Sequence, residues 1–132
     1  MDYRDLIFKA IAAREKAYVP YSNFKVGAAL VTEDNTVYSG CNIENASYGA
    51  TNCAERTAIF KAVSDGHTKI KAIAIVTDLE NYASPCGICR QVILEFAADN
   101  IEIILAKNEK DYIVKTMEEI LQGAFAKNNL LK

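Results

Sequence analysis

Two short cysteine motifs constrain the fold of this chain more than any other feature of its sequence. A Cys-x-Glu motif at 53–55 is followed, 33 positions after its cysteine, by the first cysteine of a Pro-Cys-x-x-Cys motif at 85–89. The interval has room for one helix, one strand and a loop, which places both motifs at the starts of helices in one domain. Ligands of α/β sheets gather at such ends, so the two motifs are expected to form one site.

The cysteines of these motifs have the spacing of zinc ligands. In the first turn of a helix, Cys86 and Cys89 lie on neighbouring rows, so both sulfurs can reach one ion. The free N–H groups and the positive end of the helix dipole favour the thiolate that a metal requires. Cys53 can join them because its side chain, at a helix N-terminus, can point out along the axis. Three thiolates leave one tetrahedral position for water, as in catalytic zinc sites.

Other interpretations of the cysteines stay open. Cys86 and Cys89 alone would also suit a redox pair, half of a structural zinc site, or two unrelated core side chains. Cys41 could supply a fourth ligand, as in a zinc module that mediates protein contacts without catalysis. Because Cys41 follows a predicted strand, we interpret it as a packing residue.

Two residues beside Cys53 carry the predicted chemistry. Zinc lowers the pKa of its bound water toward neutrality, and Glu55 is the candidate general base that accepts the proton and returns it. Arg56 is the candidate to donate hydrogen bonds to the thiolates and offset their negative charge. The alternatives are a solvated helix position for Glu55 and an ordinary surface position for Arg56.

Composition and charge argue against several classes of protein. The length of 132 residues is that of one ordinary domain, and the net charge of -2 argues against a nucleic-acid binder that neutralises phosphates. Residues 1–17 are interrupted by charges every few positions, unlike a signal peptide or a membrane span. We therefore expect no nucleic-acid or membrane partner, and a cytoplasmic location in which the cysteines stay reduced.

Hydrophobic periodicity predicts an α/β fold with a single three-layer domain over 1–132. Its mixed sheet has about five strands, and helices cover both faces. The predicted helices cover 2–17, 53–65, 86–98 and a short last helix opened by a capping box at 116–119. The predicted strands cover 25–31, 36–41, 70–77, 101–106 and 112–114, and loops cover 42–52 and 79–85.

Five segments carry a resemblance to a known family. They are YVPYSNFKVGAAL, GCNIENASYG, NCAERTA, SPCGICRQV and LQGAFA. In these segments, and over essentially its whole length, the chain resembles the small homotetrameric cytidine deaminases. The paired metal motifs are those of the cytidine/deoxycytidylate deaminase superfamily, also known from zinc deaminases of nucleic-acid bases. The other three segments point to the nucleoside branch.

The resemblance implies one zinc ion per chain, bound by Cys53, Cys86 and Cys89, with Glu55 as the catalytic residue. It also implies a set of substrate contacts. These are Phe24 against the nucleoside, Asn42 and Glu44 at the ribose 3′-hydroxyl, the Ala54 N–H and Ser84 carbonyl at the base edge, and Phe125 stacked on the base from a neighbouring subunit. Ala46 and Tyr48 would line a subunit boundary. Turn capping for Asn42 and Glu44 and core packing for Phe24 and Phe125 remain alternatives.

The activity that the resemblance implies is hydrolytic deamination of cytidine and 2′-deoxycytidine to uridine and 2′-deoxyuridine, a step of pyrimidine salvage. Ammonia is the second product. A related aminopyrimidine nucleoside such as blasticidin S is the alternative substrate. Base editing in RNA or DNA uses the same zinc chemistry, but the acidic composition of the chain argues against it.

Overall fold

The computed structural model describes residues 2–77 and 82–131, and the described residues form five strands and four helices. The strands are β1 (Val26–Thr32), β2 (Val37–Cys41), β3 (Ile70–Thr77), β4 (Ala97–Ala106) and β5 (Tyr112–Lys115). The helices are α1 (Tyr3–Arg14), α2 (Ala54–Ser64), α3 (Gly87–Phe96) and α4 (Met117–Ile120). Short 3₁₀ turns occur at Tyr48–Ala50 and Lys127–Asn129.

The strands form one mixed sheet in the order β2-β1-β3-β4-β5. β1 pairs antiparallel with both β2 and β3, β3 runs parallel to β4, and β5 closes the sheet antiparallel to β4. β3 is central in the sheet and covered on both faces. Its sequence is therefore an almost continuous apolar run, which is the pattern that predicted a buried strand. The predicted mixed sheet of five strands is confirmed.

Helices cover both faces of the sheet, as the alternation in β1 shows. Ala28 and Leu30 point to the face covered by α2 and α3, whereas Ala29 and Val31 point to the face covered by α1. The apolar stripe of α1 that predicted a helix is buried against this second face, as the sequence pattern requires. The three-layer arrangement is therefore confirmed.

Two glycines allow the helices to approach the sheet closely. A Cβ atom on Gly27 of β1 would lie 2.0 Å from the Ala10 carbonyl oxygen in α1. A Cβ atom on Gly40 of β2 would lie 2.6 Å from the Ala58 nitrogen in α2. Both distances are too short for real side chains, so these two positions fix how the first two helices sit on the sheet.

Two predicted boundaries are wrong. The helix predicted over 86–98 ends at Phe96, and the strand predicted over 101–106 already begins at Ala97. Of the predicted loop over 79–85, residues 79–81 lie outside the described residues.

Pairing across the sheet explains the early start of β4. Ile70 at the beginning of β3 pairs with Ala97, but Ala72, two residues later, pairs with Glu102. The intervening residues of β4 therefore bulge, and Asn100 adopts a left-handed φ of 61°. Because apolar residues continue from α3 into β4, the sequence does not show where the helix ends and the strand begins.

The remaining predicted elements differ from the structure at their ends only. The first helix, predicted over 2–17, covers Tyr3–Arg14 and is capped by the Asp2 side chain, which accepts a hydrogen bond from the Arg4 nitrogen. The predicted capping box is present, because Thr116 and Glu119 each accept a hydrogen bond from the other's backbone N–H. None of the helices in the described ranges has the length and hydropathy of a membrane span.

Candidate metal centre and substrate pocket

The first turns of α2 and α3 bring the two cysteine motifs together. Cys53 is the N-cap residue of α2 and Cys86 is the N-cap residue of α3, both with extended backbone angles. In this position each sulfur lies outside the helical turn. The Cys86 sulfur accepts a hydrogen bond from the Cys89 nitrogen at 3.5 Å.

The sulfur atoms of Cys53, Cys86 and Cys89 all lie within 4.8 Å of one another. The Cys53 and Cys86 sulfurs are 3.8 Å apart, too far for a disulfide bond of about 2 Å. Tetrahedral zinc with Zn–S bonds of about 2.3 Å would separate two sulfurs by about 3.8 Å, so the donor set fits this ion.

The cluster contains three potential ligands and not four. Within residues 2–77 and 82–131, no histidine, carboxylate or further cysteine joins these three sulfurs. Cys41 ends β2 and does not belong to the group. A zinc ion on the three thiolates would therefore keep one coordination position for water or substrate, as catalytic sites do.

Hydrogen bonding within the cluster shifts the pKa values of two of the thiols in opposite directions. A hydrogen bond from Cys89, together with the Arg56 guanidinium and Cys86, lowers the pKa of the Cys53 thiol to about 5. The same hydrogen bond to Cys53, followed by burial, raises the pKa of Cys89. Cys53 therefore ionises more readily than Cys89.

Arg56 lies against this thiol. Its Nη2 atom is 3.3 Å from the Cys53 sulfur and 3.5 Å from the Thr51 carbonyl oxygen. The hydrogen bond to Cys53 raises the pKa of Arg56, since the cation is favoured beside a thiolate. The guanidinium can therefore offset the negative charge that three thiolates would place around a divalent ion.

Glu55 is buried next to the cluster, with only 4% of its surface exposed. Burial, and secondarily the negative charge of Cys53, raises the pKa of Glu55 to about 6. A carboxyl group with this pKa can both accept and release a proton near neutral pH.

Asn42 and Glu44 hold the backbone of the segment that carries Phe24. The Asn42 amide accepts a hydrogen bond from the Val26 nitrogen at 2.9 Å and donates one to the Phe24 carbonyl oxygen at 2.8 Å. Glu44 accepts hydrogen bonds from the Ser22 hydroxyl and from the Ser22 and Tyr21 nitrogens, and these bonds lower its pKa. These are the turn-capping contacts considered as the alternative for both residues.

The other expected substrate contacts differ in their surroundings. Ala54 is the buried first residue of α2, and Ser84 lies in the non-helical segment that leads to Cys86. Phe125 lies after α4 and is 61% exposed. Tyr48 and Ala46 are also exposed in the single chain, and the Tyr48 ring meets Tyr21 edge-on, 6.4 Å between centroids.

Two residues that the sequence analysis did not single out also contact this region. Arg90 donates hydrogen bonds to Ser84 and Pro85, just before Cys86, and Gln91 donates one to the Phe125 carbonyl oxygen. Both follow Cys89 directly within the segment SPCGICRQV. Their position beside the metal motif was the available signal, but the Phe125 partner of Gln91 lies in another part of the chain.

Comparisons with known proteins agree with this geometry. The family model described as "Cytidine and deoxycytidylate deaminase zinc-binding region" matches residues 2–105. A cytidine deaminase of Sporosarcina psychrophila is 55% identical over 130 residues, which cover 98% of this chain and 96% of that protein. A cytidine deaminase of Halalkalibacterium halodurans is 51% identical over 130 residues, with 98% of both chains covered.

Solved structures and more distant relatives extend the comparison. A crystal structure of cytidine deaminase from Burkholderia pseudomallei matches with a TM-score of 0.89 and 50% identity, covering 95% of this chain and all of that chain (100%). A blasticidin-S deaminase of Bacillus cereus is 32% identical over 126 residues, covering 88% of this chain and 89% of that protein. The similarity to blasticidin-S deaminase is thus weaker than that to the three cytidine deaminases named above.

Proposed function

The chain belongs to the cytidine and deoxycytidylate deaminase family, and we propose that it converts cytidine and 2′-deoxycytidine to uridine and 2′-deoxyuridine. Water is the second substrate and ammonia the second product. Relatives at 51% and 55% identity make the chain an enzyme of the cytidine deaminase type, a zinc-dependent hydrolase. The observation that carries the proposal is the cluster of three sulfurs within 4.8 Å, next to a buried glutamate.

Cys53, Cys86 and Cys89 would hold one zinc ion per chain. When bound, the ion supplies a water molecule whose pKa is close to neutrality and which can act as nucleophile. The helix N-termini at Cys53 and Cys86 and the Arg56 guanidinium stabilise the thiolate forms of the ligands.

Glu55 carries the protons of the reaction. Its carboxylate accepts a proton from the attacking water, passes it to the pyrimidine N3 atom, and moves a second proton to the amine that leaves as ammonia. Its raised pKa, about 6, supports this role because the group is then poised between its two protonation states near neutral pH. The carboxyl is buried, so bulk water does not compete for these protons.

The substrate is expected to lie between this cluster and the segment held by Asn42 and Glu44. Phe24 packs against the nucleoside, the Ala54 N–H and the Ser84 carbonyl meet the base edge, and Asn42 and Glu44 bind the ribose 3′-hydroxyl. Two of the four hydrogen bonds open to the Asn42 amide serve the backbone, so donor and acceptor capacity remains.

Assembly of several copies completes the site in this proposal. Phe125 stacks on the base bound by a neighbouring subunit, and Ala46 and Tyr48 lie at a subunit boundary of a homotetramer. Tyr48 and Phe125 are 78% and 61% exposed in the single chain, which supports an interface at these positions. The whole chain acts as one deaminase domain, in a cytoplasm that keeps the thiols reduced and where it serves pyrimidine salvage.

Two alternatives have weaker support. A blasticidin S deaminase is disfavoured because the identity to such an enzyme is 32%, against 55% to a cytidine deaminase. A zinc module without catalysis needs four protein ligands, and the described cluster offers three.

Ammonia release from cytidine by purified, zinc-loaded protein tests the proposal. We expect turnover that disappears in Glu55→Ala, and parallel assays with 2′-deoxycytidine and blasticidin S define the substrate. Turnover of blasticidin S with none of cytidine would replace the proposed substrate. No turnover of any of these compounds by zinc-replete oligomer would contradict the proposal.

A further inference from the structure

Arg90 is the centre of a second hydrogen-bond network beside the metal centre. Its Nε atom donates to the Pro85 carbonyl oxygen, its Nη2 atom to the Ser84 hydroxyl, and its Nη1 atom to the Ile120 carbonyl oxygen, each at 2.7 Å. All three nitrogens of the guanidinium are therefore used, in three directions. A lysine ammonium cannot reproduce this planar arrangement of donors.

Two of these bonds fix the chain immediately before Cys86. Residues 82–85 belong to neither a helix nor a strand, so no helical or sheet ladder fixes their backbone. Arg90 also donates from its own backbone nitrogen to the Cys86 carbonyl oxygen at 2.9 Å. Its side chain thus folds back along the first turn of α3 and ties Ser84 and Pro85 to that turn.

The third bond reaches the C-terminal part of the chain. Ile120 is the last residue of α4, where helical carbonyl groups lack partners within the helix. The neighbouring Gln91 donates from Nε2 to the Phe125 carbonyl oxygen at 2.8 Å. Consecutive residues of α3 therefore hold both the end of α4 and the backbone of Phe125.

We propose that Arg90 is a positioning residue that sets the approach of the chain to Cys86 and the base of the segment carrying Phe125. The role of Arg90 toward Phe125 rests on the proposed function, whereas its role toward Cys86 involves metal binding alone. The Arg90 side chain holds the Pro85 carbonyl, directly before Cys86, against α3, and in this way it sets where the Cys86 sulfur lies, 3.8 Å from the Cys53 sulfur.

Variants of Arg90 test this role against a matched control. Arg90→Lys keeps the charge and the aliphatic chain but loses the planar set of donors, and Arg90→Ala removes both. The control is Glu95→Gln, which removes an ion pair at 3.9 Å between the same helix and Lys127 of the same C-terminal segment. This exposed pair does not reach Ser84 or Pro85, and such pairs contribute little to stability.

Zinc affinity is measured by competition with a chromophoric chelator, and the Co²⁺-loaded protein gives the ligand geometry from its absorption spectrum. We expect both Arg90 variants to bind zinc about 10- to 100-fold more weakly, as for other residues that orient metal ligands. The Co²⁺ spectrum should change as well, while Glu95→Gln keeps the wild-type affinity and spectrum. Wild-type affinity and spectrum in Arg90→Lys would overturn the proposal, and this variant carries the test if Arg90→Ala does not fold.

Steady-state kinetics with cytidine test the connection to Phe125. Arg90→Lys should raise KM in the wild-type background and raise it much less in the Phe125→Ala background, because both changes act on one contact. Full additivity would remove Phe125 from the proposal. Zinc and cobalt titrations require no turnover, so a failure of the proposed cytidine reaction is distinguishable from a failure of the positioning role.

Discussion

The Nη2 atom of Arg56 lies 3.3 Å from the sulfur atom of Cys53, three residues earlier at the start of α2. Cys53 is also the thiol whose pKa is lowered, to about 5, so the contact joins a cation to a thiolate. Three thiolates around one divalent ion carry net negative charge, which makes a bound water less acidic. A guanidinium in contact with one sulfur withdraws part of that charge.

Arg56→Gln should therefore weaken the metal centre while leaving the fold intact. We expect zinc affinity or kcat/KM for cytidine to fall by about 10- to 100-fold, the usual effect of losing a hydrogen bond to a metal ligand. Chelator competition and initial-rate kinetics measure the two quantities. Arg4→Gln, which changes an exposed arginine on α1, serves as control and should change neither. Unchanged affinity and rate in Arg56→Gln would show that the Cys53 contact is dispensable.

Glu55→Ala should separate metal binding from catalysis. Glu55 is outside the cluster of three sulfurs, so zinc content should stay at the wild-type level. Removing a general acid–base group lowers rates by about 10²- to 10⁴-fold, and we expect kcat to fall at least this far. Metal analysis and ammonia release measured on the same preparation give both quantities. Turnover comparable to that of the wild type would remove Glu55 from the mechanism.

The metal cluster could be predicted from the sequence because its geometry is local. A cysteine at the N-cap position of each helix fixes where its sulfur points, and the two helix starts were already marked by the motifs at 53–55 and 85–89. The mixed sheet followed from the order of apolar runs. The fold and the meeting of the three sulfurs could therefore be predicted from short-range sequence patterns.

Contacts between distant residues could not be predicted in the same way. Asn42 binds the backbone of Phe24 and Val26, and Arg90 binds Ile120, 30 positions away. The spacing of residues in the sequence does not indicate these contacts. The junction of α3 and β4 was placed wrongly for a related reason, since pairing of Ile70 with Ala97 ends the helix. In each case a tertiary partner decides the local structure.

Removal of zinc should lower the thermal stability of the protein. Metal binding to a site that exists only in the folded state stabilises that state, so a chelator should reduce the Tm of the wild type. Cys86→Ser removes one of the three sulfurs from an exposed position, where no core packing is lost. Its Tm should therefore be low and insensitive to the chelator. Cys41→Ser is the matched control and should retain the chelator sensitivity of the wild type, as Cys41 is outside the cluster. A chelator-sensitive Cys86→Ser would place the metal elsewhere.

Phe125→Ala should raise KM for cytidine without loss of zinc. Phe125 is 61% exposed in the single chain, so truncation costs little packing there, whereas it removes the proposed stacking partner of the base in a neighbouring site. Kinetics combined with zinc analysis measure the effect, and Leu131→Ala, at an exposed position of the same tail, is the control. Protein diluted or mutated to the monomer should be inactive. An active monomer would show that Phe125 is not required from another subunit.

Gly27→Ala should destabilise the fold through the contact between α1 and β1. The new Cβ atom would lie 2.0 Å from the Ala10 carbonyl oxygen and 2.7 Å from the Arg14 nitrogen, both backbone atoms that cannot move without the helix. Overpacking of this kind typically costs about 1–3 kcal/mol, and contact with backbone places the expected loss at or above the upper end. Gly49→Ala is the control, because a Cβ atom there meets no other atom within 4 Å. Urea denaturation of the zinc-saturated proteins measures the free energy of unfolding. Since Gly27 is remote in sequence from the metal motifs, folded Gly27→Ala should still bind zinc. Equal stability of Gly27→Ala and Gly49→Ala would contradict the close packing of α1 on β1.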